Sequence, residues 1–188
     1  TVEADKEFTF IFDTTRPSVA VSTPADNTFT NITAFTIQGT ADDRVNYGQG
    51  QDFESGFAVD GASVSVQRLS DNQWWGGAGF NQGGQFWNSG AFAGTSSGTF
   101  SYALTLTANT SYYVVARGLD LAGNLQTSLT TNYFTVDTTN PSSLATSPTG
   151  SVSNVTSVSG TAQDAAPGEL KAAGVVLLKI KKLAGTDD

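Results

Sequence analysis

Apolar and polar side chains alternate along short stretches of this chain, most clearly at Tyr102, Leu104 and Leu106 and at Val64 and Val66. A period of two belongs to a strand with one buried face, because successive side chains on a strand point to opposite sides. Strands are therefore expected at 18–23, 35–39, 62–69, 73–80, 99–107, 111–119 and 131–136, with Gly, Asn, Asp and Pro between them as turn formers. Seven strands suit a Greek-key sandwich of antiparallel sheets. The glycine-rich stretch 76–98 has no clear period and is the hardest to place. No apolar run reaches the length of a membrane span, so none is expected in this segment.

Composition sharpens this reading. At 188 residues and 38% hydrophobic content the chain has enough apolar material for one comfortable domain or two small ones. Thr, Ser, Gly, Asn, Val and Phe outweigh the good helix formers, which makes all-β the expected class. Lys and Arg number 9 against 17 Asp and Glu, a net charge of −8. That balance argues against nucleic-acid partners and suits cations or solubility. The chain has no cysteine, histidine or methionine. Disulfides, zinc sites, thiolate nucleophiles and imidazole bases are thereby excluded.

A long internal repeat organises the chain. The run Phe8-Thr9-Phe10-Ile11-Phe12-Asp13-Thr14-Thr15-Arg16-Pro17-Ser18 returns 124 residues later as Asn132-Tyr133-Phe134-Thr135-Val136-Asp137-Thr138-Thr139-Asn140-Pro141-Ser142. Further on, Gly39-Thr40-Ala41 returns as Gly160-Thr161-Ala162, an offset of 121, so one loop is three residues shorter in the second copy. One period is about the length of one sandwich domain. Residues 1–13 are then expected to be the last strand of a preceding unit, 14–137 a complete unit, and 138–188 the first half of a following one. The orphan strand and the half unit are expected to pair with neighbouring copies or with further sequence.

The segment from Tyr112 to Asn124, YYVVARGLDLAGN, leads into a strand and then into the DTTNPS run. This combination resembles bacterial immunoglobulin-like domains repeated in large surface proteins, whose strand and turn Y-x-V-x-A-x-A-x-D-x-A-G-N close on a V-D-T-x-x-P linker. The resemblance implies an immunoglobulin-like antiparallel β-sandwich in tandem repeats, at the cell surface, forming a rigid rod that presents an adhesin or builds a layer or fibre. The residues explain much of the motif by themselves. Pro17 and Pro141 fix φ and lack a donor, so each ends one strand and starts the next nearly in line. Gly123 and Asn124 suit the positive-φ positions of a hairpin turn.

Three sets of residues carry candidate chemistry. In a sandwich, the turn after the second strand and the turn between the last two lie at the end where the linker arrives, which brings Asp42, Asp43, Asp120 and Asn124 towards Asp13. Several carboxylates at close range suit calcium, and Asp137 with Asp164 would repeat the arrangement at the next junction. The same residues are also ordinary turn formers. Trp74, Trp75, Phe86 and Trp87, with Phe80 among them, lie between Gly, Asn and Gln and suit stacking on surface glycans or anchoring a protein partner. Adjacent Trp74 and Trp75, however, should point to opposite faces, which favours the core for at least one. Asn31, Asn109 and Asn154 fit the N-glycosylation acceptor, a pattern that chance supplies readily in a chain this rich in Asn, Ser and Thr.

Catalysis is not expected, since Asp52 and Glu54 are too near in sequence to form, by that fact alone, a facing carboxylate pair. The expected function is structural or adhesive: a segment of a surface fibre, S-layer or adhesin stalk whose partners are other copies or adjacent repeats. The alternative is a carbohydrate-binding module of a secreted enzyme, using the Trp-rich insertion.

Overall fold

The computed structural model describes residues 12–44, 55–170 and 176–181. These residues are all-β, and among them no helix is long and apolar enough to cross a membrane. The chain divides into two compact units, Thr1–Asp137 and Thr138–Asp188. The strand expected within residues 1–11, and residues 45–54 with Asp52 and Glu54 among them, lie outside the described residues.

In the first unit the strands are β1 (Ser18–Thr23), β2 (Thr28–Thr30), β3 (Ala34–Asp42), β4 (Phe57–Arg68), β5 (Gln73–Trp75), β6 (Phe80–Gln82), β7 (Asn88–Ser89), β8 (Ala91–Gly94), β9 (Ser97–Thr105), β10 (Thr110–Asp120) and β11 (Thr131–Val136). One sheet runs β1-β3-β9-β8, the other β2-β11-β10-β4-β5-β6, with β7 also on β4. All pairings are antiparallel except that of β2 with β11.

The inward side chains form one core. Val19, Ile37, Ala41, Phe100 and Leu104 from the first sheet pack with Val64, Val66, Tyr112, Val114, Phe134 and Val136 from the second. Phe35 stacks on Phe134 across the two sheets at 5.5 Å between ring centroids. Burying one face of each sheet against the other is what the period-two pattern provides for.

The structure starts β4 at Phe57 and adds β7 and β8 in the glycine-rich stretch, and it departs from the expected strands in two further places. The strand expected at 73–80 breaks, because Gly76 N–H donates to Gly79 O at 2.8 Å and Gly77 takes a φ of 94° that favours glycine. The turn brings Phe80 back over the core, 5.2 Å from the Trp75 ring and 5.4 Å from that of Tyr112. Burial of one ring thus sets the course of the chain. Second, β2 is an additional edge strand, and three residues are too few to show a period.

Tyr112, near the start of β10, is fully buried. Its hydroxyl accepts from Thr107 N–H at 2.7 Å and donates to Thr107 O at 2.9 Å, which pins the β9–β10 corner to the sandwich. Burial, only partly offset by these bonds, pushes the phenol pKa up, so the group stays protonated throughout the neutral range. Replacing Tyr112→Phe is expected to cost about 1–2 kcal/mol, since it strands two backbone groups. Urea denaturation measures this, and an unchanged midpoint would mean that water replaces both bonds.

The second unit contains β12 (Ser142–Ser147) and β13 (Ser159–Gln163), an antiparallel pair with β12 exposed along its whole length. Its register runs from Ser142↔Gln163 to Ser147↔Ser159 and is irregular between Ala145 and Ser147. In the first unit β1 and β3 run from Ser18↔Asp42 to Thr23↔Gln38 and are irregular between Val21 and Thr23. Both strands correspond at the offsets already visible in the sequence.

Candidate functional site

Three elements of the first unit converge where the linker meets the sandwich. Asp13 lies in the linker before β1, Asp43 follows the last residue of β3, and Asp120 closes β10. One carboxylate oxygen from each falls within 4.8 Å of the other two, and Asp43 and Asp120 are buried.

Backbone donors hold each carboxylate. Asp13 accepts from Thr15 N–H through Oδ1 and from Ser55 N–H through Oδ2, both at 2.8 Å. Asp43 Oδ2 accepts from Gly56 N–H at 2.9 Å, and Asp43 N–H donates to Ser96 O at 2.8 Å. Asp120 accepts from Asn124 N–H and from Asn124 Nδ2, each at 2.7 Å. Burial pushes the Asp13 carboxyl up, but the N–H donors of Ser55 and Thr15 outweigh it, so the net direction is down and the group stays ionised.

A divalent cation that takes oxygen ligands at roughly 2.1–2.6 Å needs them within a few ångströms of one another, and the oxygens of Asp13, Asp43 and Asp120 meet that condition. Like charges this close repel one another, and a cation between them turns repulsion into attraction.

The structure sorts the other acidic candidates. Asp42 is not in the cluster: its carboxylate pairs with Arg44, at 2.9 Å to Nε and 2.8 Å to Nη2. Neighbours on a strand point to opposite faces, so only one of Asp42 and Asp43 turns inward. Asn124 differs from the expected ligand, since it presents N–H groups to its surroundings. Its Nδ2 joins Asp120 to the backbone carbonyl of Asp13 at 3.1 Å, which ties the turn to the linker. Asp137 ends the first unit, with its N–H on Thr30 O, while Asp164 follows β13 in the second unit.

The aromatic candidates also divide. Trp75 is a core residue, 7% exposed, and donates Nε1–H to Tyr102 Oη at 3.0 Å. A ligand at the surface does not reach it. Trp74 points the other way and meets Tyr113 edge-on at 5.8 Å, while Phe86 is exposed. Trp87 lies beneath the Arg117 guanidinium, whose carbon is 4.1 Å from the ring centroid. Sequence reasoning missed Tyr113, Tyr133 and Arg117 on the same face. The alternation of β10, which sends Tyr112, Val114 and Ala116 inward, was the signal that pointed to them. Asn31, Asn109 and Asn154 are all exposed, and Asn109 occupies the β9–β10 turn with a φ of 54°.

No protein-family model matches the chain, and a search of curated proteins finds no relative.

Proposed function

We propose that this chain is a segment of an extracellular surface scaffold, a fibre, S-layer or adhesin stalk, built from immunoglobulin-like repeats whose linkers are fastened by calcium. The observation that carries this reading is the recurrence of one antiparallel strand pair. The β1–β3 pair and the β12–β13 pair share register and irregularity, and each follows a DTTxPS run. Repetition of this kind serves an extended array, whose length comes from copies of one unit.

Two further features support the immunoglobulin-like part. The order β1-β3-β9-β8 facing β11-β10-β4 matches the two sheets of that architecture, and the β2 edge extends the second. The Tyr112 hydroxyl bonded back to Thr107 has the form of the tyrosine corner at the start of its penultimate strand. The Asp13–Asp43–Asp120 cluster supports the calcium part, since an ion there would join the linker to two loops of the unit it leads into. Neighbouring repeats or other copies of the chain are the partners this reading requires.

Electron microscopy of the parent material tests it. Fibres or sheets with a regular repeat are expected, and dispersed single globules would count against a scaffold.

A further inference from the structure

The outward face of the second sheet carries two rows of side chains. In one, Trp74, Gln67, Tyr113 and Tyr133 pair in sequence across β5, β4, β10 and β11. Trp74 meets Tyr113 at 5.8 Å and Tyr113 meets Tyr133 at 5.5 Å, and Tyr133 is 45% exposed. In the other, Ser63 on β4 pairs with Arg117 on β10, and Arg117 lies over Trp87. Four residues of strand separate Gln67 from Ser63, a distance of about 13 Å at about 3.3 Å per residue.

Charge on this face is unlike that of the whole. Over 63–67, 111–117 and 131–135 the one charged side chain is Arg117, in a chain of net charge −8. Arg44 and Arg68 each grip an aspartate through two nitrogens. Among the described residues Arg117 makes no such bond, and its guanidinium rests on the Trp87 ring, with its five N–H donors uncommitted. Between the two rows Ser65 and its cross-strand neighbour Val115 are buried, so the rows themselves are what this face presents to a ligand.

We propose that this face binds an acidic glycan, with a hexuronate carboxylate on Arg117 and a pyranose ring two or three units along against Tyr133 and its neighbour Tyr113. A planar guanidinium recognises carboxylate with two parallel bonds, and pyranose C–H faces stack on exposed rings. Gln67 donates through Nε2 to Asn72 O, which leaves its Oε1 to accept a sugar hydroxyl. The two rows thus read the charge and the ring of one saccharide chain. This inference is independent of the scaffold reading, for a stalk repeat with or without calcium presents the same face.

Tryptophan fluorescence titration of the whole chain tests it, with tetrasaccharides of galacturonate and mannuronate, their methyl esters, and polyglutamate. A chelator is present throughout, so that no cation at the aspartate cluster bridges to the sugar. A saturable change is expected with one of the acids, weakened at least tenfold by esterification, by Arg117→Gln and by Tyr133→Ala. Tyr133 is exposed at the sheet surface, so its variant reports even where Arg117→Gln disturbs folding. No response to either acid, equal binding of the esters, or undiminished binding by both variants would overturn the proposal. Equal binding of polyglutamate would replace the glycan with an acidic protein segment.

Discussion

Millimolar calcium is expected to raise the unfolding midpoint of the first unit by about 4–10 °C. Extracellular calcium modules bind with dissociation constants of roughly 0.1–1 mM, so 5 mM calcium adds on the order of 1–2 kcal/mol to the folded state. In a domain of this size that corresponds to several degrees. Asp43→Asn removes one charge of the cluster yet keeps an acceptor for Gly56 N–H. The variant is expected to lose the calcium increment while its midpoint in chelator stays level or rises, because repulsion in the empty cluster is relieved. If these aspartates served only as turn formers, wild type would show no calcium response. Differential scanning calorimetry with and without chelator separates the outcomes.

The effect has a pH dependence whose sign follows from Asp13. Its folded pKa is lowered relative to an ordinary aspartate, so the stability it contributes is present above the unfolded value and is lost as pH falls through the folded one. Calcium binding weakens in the same direction, as protons compete for the carboxylates. The calcium increment is therefore expected to be intact at neutral pH and to disappear in acid.

Gly39→Ala is expected to cost about 3 kcal/mol, the upper part of the usual range for overpacking. A Cβ on Gly39 would fall on the carbonyl oxygen of Ala20 and on the Phe100 ring. The first belongs to the sheet backbone and the second to the centre of the core, so neither has room to retreat. Gly160, its counterpart on β13, stands in the same relation to Leu144, with a built Cβ 2.5 Å from that carbonyl oxygen. Gly84→Ala provides the control, since nothing lies within 4 Å of a Cβ there. Urea denaturation at unchanged m-value measures both substitutions. A loss below about 1 kcal/mol at Gly39 would mean that β1 and Phe100 are free to shift, contrary to the packing described.

The aspartate cluster was largely legible before any coordinates, because each member occupies a turn or linker that strand topology places at one end. Asp13, Asp43 and Asp120 are far apart in sequence, yet ordinary sandwich connections bring them together. The error at Asp42 is instructive. Two adjacent carboxylates look alike in sequence, and only the pairing of Ser18 with Asp42 and the reach of Arg44 decide which one turns inward. Asn124 stands beside the cluster as expected of its turn, and its Nδ2 bonds to Asp120 and to the carbonyl of Asp13 are what only the structure supplied.

The aromatic set was less legible. Trp74 and Trp75 share a dipeptide, but one joins the surface row and the other the core. The glycine turn at 76–79 settled the path of the insertion by returning Phe80 to the core, and no local period records that.

The sequence by itself determined the all-β class, most strand positions, the exclusion of cysteine and histidine chemistry, and the recurrence of the DTTxPS run. Those properties depend on neighbours two residues apart or on outright identity, and both are written along the chain. Only the tertiary structure decided which carboxylates meet, which tryptophan is buried, and that Arg117 lies over the Trp87 ring. These depend on the register between strands far apart in sequence, such as Ser63 with Arg117, and register is settled by the packing of the whole core.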